Sequence, residues 1–147
     1  MSANESSGVP KQIVVGISDA PTSQIAARHA VELAAATGAS VHFVTAVDRL
    51  EREIVQWASD EFVLDNVLEA RHSVENFVNK LGVGVPYTIA VAQGAPADLL
   101  VAEAERVGAD LIVVGNVRMQ GIGRVLGSVG SEVLRQAPCS VLIVKTV

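Results

Sequence analysis

Aromatic residues are scarce: three Phe, one Tyr and one Trp make up 3% of the 147 residues. Half of the residues are apolar, so the core has to be aliphatic, built from Val, Leu, Ile and Ala. The lone cysteine, Cys139, excludes an intrachain disulfide and suits a reducing cytoplasm. It reads as a small apolar filler ahead of a final strand. Basic residues are outnumbered 11 to 16, giving a formal net charge of -5 and a pI near 5.1. That balance argues against nucleic acid as a partner, because holding a phosphate backbone needs a basic face. No apolar run approaches the ~18 residues that cross a bilayer, so no membrane span is expected. The opening MSANESSGVP has neither a basic n-region nor an apolar h-region and does not read as a secretory signal. The organisation expected is a flexible tail over residues 1–10 and one α/β domain over 11–147, placed in the cytoplasm.

What is present is a regular alternation. Ile13 to Ile17, Ser40 to Val47, Pro86 to Val91, Leu111 to Val114 and Ser140 to Lys145 are short, β-branched and mostly uninterrupted apolar runs. Such runs suit strands covered on both faces. Pro86 at the start of the third marks an edge strand. Between the runs lie helical patterns. The first starts near Thr22 or Ser23, carries Ile25, Ala26, Ala30, Leu33 and Ala34, and stops at Gly38. The second is read over Phe62 to Leu81, with Phe62, Val63, Val67, Ala70, Val74, Phe77, Val78 and Leu81 as its stripe. The third runs from Pro96 to Val107 and stops at Gly108; the fourth runs from Ser128 to Gln136. The charged stretch from Asp48 to Asp60, with Trp57, fits no element. The pattern predicts an α/β fold: a single doubly wound, five-stranded parallel sheet in the order 3-2-1-4-5, with helices on both faces and right-handed crossovers.

In such a sheet a ligand binds beyond the carboxyl ends of the strands where the order reverses, between the first and fourth strands. The residues leaving those strands are Ser18-Asp19 and Gly115-Asn116. Gly121 and Gly123 follow, and Gly127 and Ser128 open the last helix. A glycine loop leading into a helix N-terminus can hold an anion on backbone N–H groups. Three stretches carry a family resemblance: VVGISDAPTS, QGAPADLLVAEAERVGADLIVVG and VLGSVGSEVLRQAPCSVLIV. Through them the chain resembles the universal stress protein family over nearly its whole length. The resemblance implies a five-stranded parallel α/β fold, a cytoplasmic location, a homodimer and a binding or regulatory role rather than efficient catalysis. One branch of the family binds ATP or AMP through a motif similar to G-x-x-G, nine residues, then G-[ST].

Carried over residue by residue, Gly115 matches the first glycine, and Gly127 with Ser128 matches the closing pair, where backbone N–H groups and a hydroxyl would meet the phosphates. Arg118 stands in place of the second glycine, and the interval to Gly127 is one residue short. Ser18 stands where the ATP-binding branch has an acidic residue, with Asp19 one step later. Arg118 could pair with a phosphate bidentately or be a solvated loop residue. The candidate nucleotide-binding set is therefore Ile17, Ser18, Asp19, Val47, Gly115, Asn116, Arg118, Gly127, Ser128 and Val129, for ATP or AMP, with Mg2+ accompanying ATP.

Other chemistry finds little support. A dinucleotide fingerprint over Gly121, Gly123 and Gly127 has the wrong spacing, and no P-loop motif exists. His29, His42 and His72 are scattered over two helices and a strand and make no metal site. His42 reads as a satisfied strand residue. No serine, cysteine or histidine arrangement suggests a nucleophile with a positioned base. Asp98, Glu103 and Glu105 read as the wet face of the third helix, and Glu132 with Arg135 as a weak surface pair. The last strand, Val141 to Val147, is an apolar edge, and pairing with the same strand of a second copy would cover it. Two functional readings stay open: a stress-response regulator holding an adenine nucleotide with at most slow hydrolysis, and a dimeric interaction protein of the same fold that has lost the nucleotide.

Overall fold

The computed structural model describes residues 8–50, 52–57, 60–116 and 127–146. Its elements are β1 (Gln12–Gly16), α1 (Pro21–Thr37), β2 (Ser40–Val47), β3 (Arg52–Trp57), β4 (Asp60–Asp65), α2 (Asn66–Leu81), β5 (Tyr87–Gln93), α3 (Pro96–Val107), β6 (Leu111–Gly115), α4 (Ser128–Gln136) and β7 (Ser140–Val144). Five parallel strands form the main sheet in the order β5-β2-β1-β6-β7. Counting those strands alone, this is the expected 3-2-1-4-5 arrangement, and the strand beginning next to Pro86 does lie at an edge. Register is continuous through the centre: Val14 lies opposite His42 on one side and Ile112 on the other.

The apolar runs are uninterrupted because both faces are covered. Ile13, Val15, Val41, Phe43 and Val113 pack with Ala27, Ala30 and Val31 of α1 and with Val74 and Val78 of α2. Their neighbours Val14, Val44, Ile112 and Val114 pack with Leu100 and Ala104 of α3 and Val133 of α4. Successive strand residues thus feed opposite layers. Three aromatics gather on the first face, where Phe43 meets Phe77 and Tyr87 edge-on at 6.4 and 5.8 Å between ring centres. Asp110 ties β1 to the start of β6 by accepting from the backbone N–H groups of Lys11 and Gln12 at 2.9–3.2 Å.

Helix ends follow backbone chemistry. Gly38, Gly82 and Gly108 stop α1, α2 and α3 in the left-handed region, at φ of 79°, 65° and 65°. The start of α1 falls earlier than Thr22: Ala20 is the N-cap and Pro21 the first helical residue, where its missing N–H costs nothing.

One sequence expectation is overturned. Phe62 and Val63 do not belong to the second helix. Residues 60–65 form β4, which pairs antiparallel with β3, from Arg52 opposite Asp65 to Trp57 opposite Asp60. The stretch left unassigned from Asp48 to Asp60 therefore contains half of a hairpin. Helix α2 starts only at Asn66, because Asp65 caps it: its Oδ1 accepts from the N–H groups of Val67 at 2.9 Å and Leu68 at 3.4 Å. An apolar pair at 62–63 fits a helical stripe and a short strand equally well; the capping aspartate decides between them. The expected tail over residues 1–10 lies mostly outside the described residues, as do Val147 and the loop from 117 to 126. Among the described residues, no helix is long and apolar enough to cross a membrane.

Candidate functional site

The carboxyl ends of β1 and β2 open into a cavity of about 310 Å3, closed on its far side by α2. Ile17, Ser18, Asp19 and Val47, four of the residues read from the sequence, line it. The chain leaving β1 is held in place by its own turn. Ile17 N–H donates to Val44 O at 3.0 Å, and the Thr45 hydroxyl donates to Ile17 O at 3.1 Å. Ser18 N–H donates to Ser23 Oγ at 2.8 Å, and Ser18 Oγ accepts from Ala20 N–H at 3.3 Å. Asp19 follows on the exposed mouth.

Sequence reasoning missed the opposite wall. Asn66, Glu69, Ser73 and Phe77 descend one face of α2 into the cavity, joined by Gln24 of α1 and Thr45 of β2. The spacing of three to four residues was visible as a helical stripe, but in the sequence only its apolar members stood out. Asn66 is anchored by donating through Nδ2 to Arg49 O at 2.5 Å. Among the described residues the lining carries two carboxylates, Asp19 and Glu69, and no Lys or Arg. Its chemistry favours a neutral group rich in hydrogen-bond donors, such as an amino-bearing base or a sugar diol, over a bare anion.

Gly115, Asn116, Gly127, Ser128 and Val129 lie outside this lining. Gly115 ends β6 against the last residues of the chain. A Cβ there would stand 3.2 Å from Thr146 Cγ2 and 3.4 Å from its hydroxyl. Asn116 Oδ1 accepts from Thr146 N–H at 2.8 Å and from the Thr146 hydroxyl at 3.1 Å. Gly127 is the buried N-cap of α4, with Ser128 exposed as the first helical residue. Ser131 N–H donates to Gly127 O at 2.9 Å. Arg118, Gly121 and Gly123 lie outside the described residues. Among the described residues, no group of three His, Cys, Asp or Glu is placed to hold a metal ion.

A second cluster sits away from the cavity, between β2, β5 and α3. His42 is 2% exposed. Its Nδ1 lies 2.5 Å from Thr88 Oγ1, and its Nε2 lies 2.7 Å from Glu103 Oε1. Arg106 grips the same carboxylate with Nε at 2.8 Å and Nη2 at 2.7 Å. The guanidinium and, to a lesser degree, His42 hold the Glu103 carboxyl down to about 2 against the opposing effect of burial. His42 is thus the satisfied strand residue expected. Glu103 corrects the sequence reading: it leaves the wet face of its helix to face His42, while Asp98 and Glu105 stay exposed. His29 and His72 are exposed. Glu132 pairs with Arg135 on the surface of α4, and that guanidinium lowers the Glu132 carboxyl. The Cys139 thiol is pushed up by burial and then by Asp110, which keeps it unreactive.

A family model described as the universal stress protein family matches residues 10–145. A universal stress protein of Methanocaldococcus jannaschii, MJ0531, is 33% identical over 141 residues, covering 92% of this chain and 82% of its own. A crystal structure of a universal stress protein in complex with cAMP is 30% identical, with a TM-score of 0.71 over 95% of this chain and all of the other. An Archaeoglobus fulgidus universal stress protein in complex with dAMP shares the fold at 22% identity, with a TM-score of 0.66 over 93% of this chain and 99% of its own.

Proposed function

The chain belongs to the universal stress protein family, and on that premise we propose that it is a stress-response regulator that binds an adenine nucleotide at the carboxyl end of its sheet. The observation that carries the proposal is the polar cavity between Ser18-Asp19 and the inner face of α2, in a fold whose 30%-identical neighbour was solved with cAMP. A volume of about 310 Å3 is at the lower end of what small-ligand sites use and suits a nucleoside. The nucleoside enters this cavity beside Ile17 and Val47, and the phosphates point away from its two carboxylates. They lie toward Gly115, Gly127, Ser128 and Val129, where the first N–H groups of α4 face the solvent side of the switch point. When the ligand is ATP, Mg2+ is held mainly by phosphate oxygens and water. The proposal concerns binding; hydrolysis of ATP is slow.

The test is direct. Protein purified without added nucleotide is denatured, the released small molecules are weighed by mass spectrometry, and the emptied protein is titrated calorimetrically with cAMP, AMP and ATP. Released adenine nucleotide or saturable binding heat is the expected result. An empty protein with no heat for any of the three overturns the proposal.

A second reading rests on Gly115 and Asn116, which are engaged by Thr146, and on Ser18 in the place of the family's acidic residue. In that reading the same fold works as an interaction protein without nucleotide. Both readings share a homodimer through the edge strand β7, where Leu142 is 39% exposed and a two-fold partner would pair its free edge. Sedimentation of the wild type beside Leu142→Lys measures this: the dimer is lost in the variant.

A further inference from the structure

We propose that Thr88, on the open edge strand β5, is an activated nucleophile and a self-acylation site, with His42 as its base and Glu103 as the residue that positions the base. The cluster lies at the other end of the sheet from the cavity. Thr88 is the second residue of β5 and precedes Gln93, at its carboxyl end, by five residues. That is roughly 16 Å along the strand.

The argument begins with the tautomer of His42. Glu103 is ionised, since Arg106 holds its carboxyl down to about 2, and an ionised carboxylate only accepts. The short 2.7 Å contact between Glu103 Oε1 and His42 Nε2 therefore places the imidazole proton on Nε2. Arg106 Nη2, 3.4 Å from that nitrogen, faces it donor to donor and spends its protons on Glu103 instead. With Nε2 protonated, Nδ1 of the neutral ring is an acceptor, and its partner at 2.5 Å is the Thr88 hydroxyl. That hydroxyl has to donate. The result is a hydroxyl, an imidazole acceptor and an orienting carboxylate in series, the arrangement that activates an alcohol for acyl transfer.

Burial and exposure divide the cluster suitably. His42 is 2% exposed and cannot turn away. Glu103 is clamped by two guanidinium contacts. Of the hydroxyl, the imidazole and the carboxylate, only Thr88 belongs to an exposed residue. Pro86 O accepts from Val41 N–H at 3.0 Å, so the parallel ladder engages alternate residues of β5 and directs the Ile89 N–H away from β2. That N–H, on the residue after the nucleophile, is available to a developing oxyanion. An open edge admits small, unhindered donors, so the substrate class is an activated short-chain acyl group: a thioester or an acyl phosphate.

In the step, Thr88 Oγ1 attacks the carbonyl carbon and forms an ester bond, and its proton passes to His42 Nδ1. The carbon–sulfur or carbon–oxygen bond of the donor breaks, and its electron pair leaves with the thiolate or phosphate. His42 returns its proton to the leaving group or to water. Nothing is oxidised or reduced.

The experiment uses the whole chain with p-nitrophenyl acetate as the probe. Intact-mass spectra and peptide mapping follow the site and rate of acetylation across pH. The expected result is one acetyl ester on Thr88, absent in Thr88→Val and retained in Thr88→Ser. Removing the base with His42→Gln slows labelling roughly a hundred-fold. Glu103→Gln slows it less and changes the pH profile, which a purely structural role of Glu103 would leave unmoved. Acetyl groups confined to lysine amines and the N-terminus overturn the proposal. So does Thr88 labelling in the wild type no faster than that of a threonine in an unstructured peptide, an outcome that requires no variant to fold.

Discussion

The two polar regions of this molecule are built in opposite ways. The cavity at the carboxyl ends of β1 and β2 is open, and its two carboxylates, Asp19 and Glu69, have no cation beside them in the lining among the described residues. The cluster around His42 is closed: every ring nitrogen and both carboxylate oxygens have partners within 2.5–2.8 Å. Asp19 and Glu69 of the first are exposed and can be altered at little cost to the fold. The second is a structural joint between β2, β5 and α3, since a buried polar atom that loses its partner cannot recover it from solvent. A polar residue at the carboxyl end of this sheet is thus open to a ligand along its length, whereas the His42 cluster is buried at its imidazole and reaches solvent where Thr88 lies on the edge strand.

The comparison is sharpest at Glu103 and Glu69. Glu103→Ala strips the acceptor from buried Nε2 of His42, and the expected loss is about 2–3 kcal/mol, read by urea denaturation. Glu69→Ala leaves the midpoint within about 0.5 kcal/mol of wild type, while weakening adenine-nucleotide binding in calorimetry. Equal losses at the two sites would erase the distinction.

Acid gives the next effect. Glu103 is depressed in the fold, so its stabilisation is complete above the ordinary carboxylate range and disappears as pH falls from 4.5 through about 2. Allowing for solvent on its Arg106 side, about 1–2 kcal/mol should be lost over that window. Glu103→Gln should flatten that part of the stability curve, and Glu69→Gln should leave it unchanged. A third site lies outside both regions, at the end of β6. Gly115→Ala places a methyl 3.2 Å from Thr146 Cγ2, and thermal denaturation should register about 1 kcal/mol. The smallest effect should come from Arg135→Ala, whose pair with Glu132 lies on the surface of α4; its melting temperature should match the wild type.

Much of this was legible in the sequence. Runs such as IVVGI and LIVVG are apolar at every step, which only a strand covered on both faces tolerates, and glycines at 38, 82 and 108 mark helix ends because the left-handed turn there excludes most side chains. Strand order followed from connectivity; the crevice expected between β1 and β6 did not, since the cavity of the described residues opens beyond β1 and β2 and leaves Gly115 and Asn116 outside its lining. The hairpin did not, because Phe62 and Val63 satisfy two periods and Asp65 was not recognised as a cap. Nor did the α2 wall of the cavity, because a polar stripe at helical spacing looks the same whether it faces a ligand or the solvent.

What the sequence determined by itself is the class of fold, its register of layers and its family, since these depend on local periodicity and on short motifs. What only the tertiary structure decided is which polar residues meet. Thr88 and Glu103 are separated by 46 and 61 positions from the shared His42, and nothing local marks them as partners. Parallel pairing of β2 with β5, and the packing of α3 against β2, brings the three together, because side-chain contact is set by the register of distant segments and not by their order along the chain.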